Sequence, residues 1–235
     1  MKGFELFSPE HLLMLVFIVL VLTAVLCLSR RLTEAAAVRL IRCLSITALI
    51  SEVIQDILLI RDGGNFIDFL PLHLCNLGLF VNLAASFTGR KLRSFFAEIS
   101  IVLIMPGAAG ALIFPDWTYR PFWSYLPMLC FLTHGLLVII PCIFIAKKTA
   151  TVSIKHIWYP YLFLLIVTPP IYLLNIKCSE NYMYLLYPPS GSPLDWIHSI
   201  TGNDLYIPGL LMLVTIILVF EYLMIEAIRQ IKKDH

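Results

Sequence analysis

The sequence predicts an all-α polytopic membrane protein with seven transmembrane helices, the N-terminus outside and the C-terminus cytoplasmic. Three observations predict it. Of the 235 residues 60% are apolar and only 14% charged, whereas a soluble domain carries about a quarter charged residues. Several apolar runs reach the ~20 residues that a helix needs to cross ~30 Å of hydrocarbon. The cations also segregate: with spans near 10–28, 36–60, 66–87, 95–114, 123–146, 156–175 and 205–228, loop alternation puts 13 Lys and Arg on one side and 4 on the other. The positive-inside rule makes the side bearing Arg30, Arg31, Arg39, Arg42, Arg90, Lys91, Arg93, Lys147, Lys148, Lys155, Arg229, Lys232 and Lys233 cytoplasmic. Lys2, Arg61, Arg120 and Lys177 fall outside, with Glu5, Glu10, Asp62, Asp68, Asp116, Glu180, Asp195 and Asp204.

Taken in order, the first run, Leu12 to Leu28, lacks a small-x-small cleavage site and is followed by Ser29-Arg30-Arg31, so it reads as an uncleaved anchor. The second carries Glu52, Gln55 and Asp56 at i, i+3 and i+4, on one helical face. The third contains Leu72-His73-Leu74-Cys75-Asn76. In the fourth, Pro106, Gly107 and Gly110 predict a kink and a close helix contact. The fifth holds Cys130 and His134 at i and i+4 and includes Pro141, and the sixth is interrupted by Pro169-Pro170. The outer connection 176–204, with Tyr182, Tyr184, Tyr187, Pro188, Pro189, Pro193 and Trp196, predicts a segment at the headgroup level before the seventh span. One transmembrane domain, residues 1–235, accounts for the chain.

Composition excludes several classes of function. The net charge of +2 comes from scattered loop residues with no basic patch, so no nucleic-acid partner is expected. The six cysteines show no CxxC spacing, which argues against a disulfide framework and a structural metal site; no metal and no cofactor is expected. The environment is the bilayer, taken as the plasma membrane, and the expected partner is a phospholipid or other acyl lipid.

Polar groups cost several kcal/mol at membrane depth and therefore mark working sites. Counted from the outer ends at 1.5 Å per residue, Asp56, Glu52, Cys75 and His134 all lie roughly 6 to 17 Å deep, on three different helices. A thiol, an imidazole and a carboxylate at one depth are the parts of a nucleophile, base and orienter arrangement. A lone Cys in an apolar span is inert in most proteins, so the set carries the argument. Cys75 is preferred to Cys130 as nucleophile because an i, i+4 pair on one rigid helix leaves little room for substrate. His134 is the expected base, Asp56 or Glu52 its orienter, and His73 or Asn76 a donor to the oxyanion; Gln55 and Tyr206 complete the candidate substrate-contacting set. Glu98, Glu221 and Glu226 lie toward the cytoplasm and read as partners of loop cations.

Phe69-Leu70-Pro71-Leu72-His73-Leu74-Cys75-Asn76, Thr133-His134-Gly135, Asn181-Tyr182-Met183-Tyr184-Leu185, Pro188-Pro189 and Ser192 to Trp196 resemble the bacterial YwaF-type integral membrane proteins. The segment Gly202-Asn203-Asp204-Leu205-Tyr206-Ile207 departs from that pattern, which has two tryptophans there. That family is distantly similar to eukaryotic multi-pass proteins that acylate ether phospholipids and to androgen-induced type lipid hydrolases. The resemblance implies a Cys or Thr nucleophile and an intramembrane His, at positions matching Cys75 and His134. The expected function is a lipid acyltransferase or hydrolase working through a thioester. The alternative is a proton-coupled transporter or channel lined by Glu52, Asp56, His73 and His134.

Overall fold

The computed structural model describes residues 3–231; the expectations for Lys2, Lys232 and Lys233 lie outside that range. The described residues form helices joined by loops, without strands, and six of the helices are long and apolar enough to cross a membrane, alongside one shorter apolar helix, Leu74–Phe87. The chain divides into two compact units between Ala150 and Thr151.

The first unit begins with α1 (Pro9–Arg31) and α2 (Glu34–Arg61). Ser8 and Thr33 cap them, each side-chain oxygen accepting a backbone N–H three residues on, with Glu10 and Glu34 in the first turns and Arg30, Arg31 and Arg61 in the last. Caps and charges both match the helix dipole. The third span departs from expectation. Phe66–Phe69 is a separate 3-10 turn, Leu70 is extended (φ −60°, ψ 137°), and α3 (Leu74–Phe87) starts only after His73. Pro71 explains the break, since it lacks an N–H and disfavours helical geometry at the residue before it. His73 is therefore the cap of α3 and not one of its helical residues.

The fourth span is continuous but not uniform: α4 (Arg90–Ile99), a π turn at Ser100–Ile104, and α5 (Met105–Ile113). Pro106 follows the widened turn, which accommodates its missing donor and bulky ring. The expected close contact is met in part: a Cβ added at Gly107 would touch Leu74 of α3 at 3.5 Å, one at Gly110 would meet nothing within 4 Å, and the tightest approach is at Gly78 of α3, pressed against the Ile104 side chain. After a loop comes α6 (Tyr125–Lys147), which runs through Pro141 and packs against α1, α2, α3 and α5. Leu59, Leu112, Trp117, Phe122, Leu126 and Phe131 form an apolar core beside the loop that enters α6. His11, fully enclosed, is satisfied at both ring nitrogens: Phe7 N–H donates to Nδ1 (3.1 Å) and Nε2 bonds the Leu112 carbonyl (2.8 Å).

The second unit holds α7 (Trp158–Cys178), α8 (Pro193–Thr201) and α9 (Tyr206–Ile231). α7 continues through Pro169-Pro170, where a break was expected. Tyr161 joins α7 to α9 through its hydroxyl bond to Thr215 Oγ1 (2.7 Å). The aromatic connection is partly folded. Tyr182 is buried, with its N–H and carbonyl each 2.9 Å from the Asn175 side chain, while Tyr187 and Trp196 stay exposed. Ser192 and Pro193 start α8 as N-cap and first helical residue.

Candidate functional site

The site lies in the first unit, where α2, α3, α6 and the loop before α6 converge. Asn76 donates from its amide to Glu52 Oε1, a short contact joining α3 to α2. Cys130 Sγ on α6 lies 3.1 Å from Gln55 Oε1 on α2, and one turn deeper Thr133 and Ser51 share a buried hydroxyl pair at 3.1 Å. The face Glu52–Gln55–Asp56 is thus the strip of α2 that meets α3 and α6.

His134 Nδ1 is 2.8 Å from the Cys130 carbonyl. A carbonyl only accepts, so Nδ1 carries the proton and donates, and the lone pair is on Nε2. Its orienting partner is this carbonyl, not the carboxylate of Glu52 or Asp56. The imidazole packs on the Trp117 ring, centroids 4.9 Å apart. Trp117 is itself buried, and its indole N–H has no acceptor among the described residues. Buried donors without an acceptor are rare in folded proteins.

Cys75 is the second residue of α3. His73 provides no side-chain cap, and the first three N–H groups of the helix, those of Leu74, Cys75 and Asn76, have no intrahelical acceptor. Cys75 lies within electrostatic reach of Glu52, Cys130 and Asp116, and His73 within reach of Asp116 and His134. The structure therefore gathers Glu52, Gln55, His73, Cys75, Asn76, Cys130 and His134, with Asp56 coupled to Glu52 on the same α2 face. No hydrogen bond joins Cys75 to His134. Tyr206 belongs to the second unit, where its hydroxyl donates to the Tyr184 carbonyl at 3.0 Å.

Two site residues escape sequence reasoning. Trp117 and Asp116 sit in the turn between α5 and α6, where an aromatic and an acid read as an ordinary interfacial loop. Asp116 interacts with His73, Cys75, Cys130 and His134, and so reaches both histidines of the cluster. The signal available was Pro115 and the short loop, which leave the pair little freedom to leave the helix ends. Among the described residues no group of three His, Cys, Asp or Glu is arranged to hold a metal ion.

Apolar helices of membrane length around a polar cluster on α2, α3 and α6 define a multi-pass α-helical membrane protein. Its sequence matches the TMEM164 family across residues 6–224, nearly the whole chain, and the chain belongs to that family. No curated protein and no solved structure matches it.

Proposed function

We propose that the chain is a membrane-embedded acyl-lipid enzyme, an acyltransferase or ester hydrolase, with Cys75 as nucleophile and His134 as proton carrier. The observation that carries this reading is the 2.8 Å bond from His134 Nδ1–H to the Cys130 carbonyl, which leaves Nε2 free as a base. His11, by contrast, is satisfied at both ring nitrogens. The likeness to YwaF-type proteins, and through them to ether-phospholipid acyltransferases, supports the same pair.

The chemistry runs in two halves. His134 Nε2 takes the thiol proton as Cys75 Sγ attacks the ester carbonyl of a lipid, forming the C–S bond and a tetrahedral oxyanion. Collapse breaks the C–O bond, and the departing alkoxide receives the proton from His134, leaving a thioester and a lysolipid. An acceptor hydroxyl, or water, then gives its proton to His134 and attacks the thioester, and the thiolate leaves and recovers the proton. Negative charge at Cys75 and at the oxyanion falls at the N-terminal end of α3, where three free N–H groups and the helix dipole stabilise it. Cys130, inside α6 and already bonded to Gln55, has neither advantage. The unpaired Trp117 N–H is a second oxyanion donor, whereas the Asn76 amide is committed to Glu52. Substrate enters from the outer leaflet of the plasma membrane, whose ester carbonyls lie just below the headgroups.

The test is incubation of purified protein with a phospholipid bearing an alkyne-tagged acyl chain, followed by hydroxylamine, which cleaves thioesters. Hydroxylamine-sensitive label is expected on wild type and Cys130→Ala and absent from Cys75→Ala and His134→Ala. Label lost only in Cys130→Ala would move the nucleophile to that residue.

One observation favours the transporter reading. Buried polar residues continue toward the other end of the unit, where Ser100 Oγ bonds Asn82 Oδ1 at 2.5 Å beside the enclosed Ser86 and Glu98. The apolar stretches Leu77–Val81 and Leu136–Ile140 separate the two polar groups. Unaltered lipid turnover in all three variants, with a proton flux abolished by Asp56→Asn, would establish transport instead.

A further inference from the structure

We propose that a second site, at the arginine-rich end of the first unit, binds a phosphate-bearing group. A groove of about 570 Å³ opens between the first turns of α2 and α4 and is lined by Glu34, Ala35, Val38, Arg39, Arg42 and Arg93. Three guanidinium groups against one carboxylate leave it two positive charges in excess.

Donors in this groove outnumber acceptors. Arg42 Nη2 bonds the Ser86 carbonyl (3.1 Å), and Arg93 bonds the Thr88 carbonyl (3.4 Å) and approaches Glu34 at 3.8 Å. The Nε–H groups of both Arg42 and Arg93 remain buried without an acceptor among the described residues, and Arg39 is exposed. Leaving charged donors unpaired is costly. The start of α4 adds to the excess. Its N-cap is Gly89, which offers no side-chain acceptor, and its first turns carry Arg90, Lys91 and Arg93 with no acid. Cations at the positive end of a helix repel its free N–H groups, and an anion seated there relieves both.

The geometry suits phosphate in particular. Guanidinium forks match its oxygens two at a time, and several together hold a dianion as a clamp. Arg42 is held flat on the Phe87 ring, 4.3 Å from its centroid, which keeps its fork fixed. Ala35 and Val38 supply an apolar wall where a glycerol or acyl portion can rest. Along α2 the site is ten residues from Glu52, about 15 Å, so it is separate from the Cys75 cluster and independent of that cluster's function.

The test is thermal unfolding of the full-length protein in detergent at fixed ionic strength, titrated separately with short-chain phosphatidic acid, short-chain phosphatidylcholine and inorganic phosphate. Phosphatidic acid is expected to raise the melting temperature at lower concentration than phosphatidylcholine. Arg39→Gln/Arg93→Gln is expected to weaken the effect about 30-fold, and exposed Arg39→Gln alone, which breaks no contact of the fold, about fivefold. Stabilisation by inorganic phosphate to the same extent identifies the bound group as soluble phosphate; stabilisation by the lipid alone identifies a headgroup. The proposal is overturned if phosphatidylcholine acts as strongly as phosphatidic acid. It is equally overturned if Arg90→Gln/Lys91→Gln, on the same end but outside the groove, weakens binding as much as Arg39→Gln/Arg93→Gln, because diffuse surface charge would then explain the effect.

Discussion

The His134 and Trp117 rings lie in tilted contact, 35° between their planes, and each has one nitrogen without a partner among the described residues. Trp117→Phe keeps an aromatic ring but removes the indole N–H together with part of the bicycle, so in this buried core position the melting temperature should fall in either case. If the N–H serves the oxyanion, turnover by the folded protein should also fall about 10²- to 10³-fold; unchanged turnover would make Trp117 a packing residue. Asn76→Ala should act differently. It strips the Glu52 carboxyl of its partner from α3, at a cost of about 1 to 3 kcal/mol, so the melting temperature should drop. A further Glu52→Leu change should restore much of that loss. At this scale, Cys75 and His134 were legible because a thiol and an imidazole stand out in apolar runs. The Glu52–Asn76 bond was not, since spacing along one chain carries no information on which amide faces which acid. Trp117 was hidden for the opposite reason, because tryptophan at a helix end is what any membrane interface contains.

Helix ends and crossings follow rules that the sequence displays unevenly. The caps of α1 and α2 were readable as Ser8-Pro9 and Thr33-Glu34. The late start of α3 was also written in Pro71, but hydropathy across residues 66–87 is continuous and masks it. The π turn at Ser100–Ile104 has no distinctive composition, and its Ile104 meets Gly78 of α3, the tight small-residue contact that the sequence did not single out. Two substitutions should therefore have opposite signs. Gly78→Ala drives a methyl into Ile104, buried in a turn already under constraint, and should lower the melting temperature by the several degrees that an overpacking cost of about 1 to 3 kcal/mol implies. Gly110→Ala meets open space and should be neutral or stabilising by up to about 1 kcal/mol. Equal effects at both positions would contradict the crossing geometry of α3 and the π turn.

For the whole molecule, long apolar runs made the helical membrane character legible from the outset, and the TMEM164 family match agrees with it. Seven crossings with the N-terminus outside remain our proposal, drawn from the 13-to-4 distribution of cations. Single cysteines introduced at Tyr119 and Ser190 should react with a membrane-impermeant maleimide on intact cells, whereas those at Lys91 and Thr151 should react only after permeabilisation. Reaction of Lys91→Cys from outside would remove the orientation, and with it the common depth on which the choice of Glu52, Asp56, Cys75 and His134 was based.

α3 has only 14 residues, a rise of about 21 Å against some 30 Å of hydrocarbon. As the third of the seven crossings proposed above, so short a helix would favour a thin bilayer: lipids around it would compress their chains, or water would follow the chain down to the cap at His73. Host-lipid length would then act on the protein directly. In nanodiscs, 14-carbon lipids should leave it with a higher melting temperature than 22-carbon lipids; equal stability in both would count against α3 as a crossing. If the proposed lipid chemistry holds, a membrane thickened by saturation or by sterol should slow it without any ligand touching the protein.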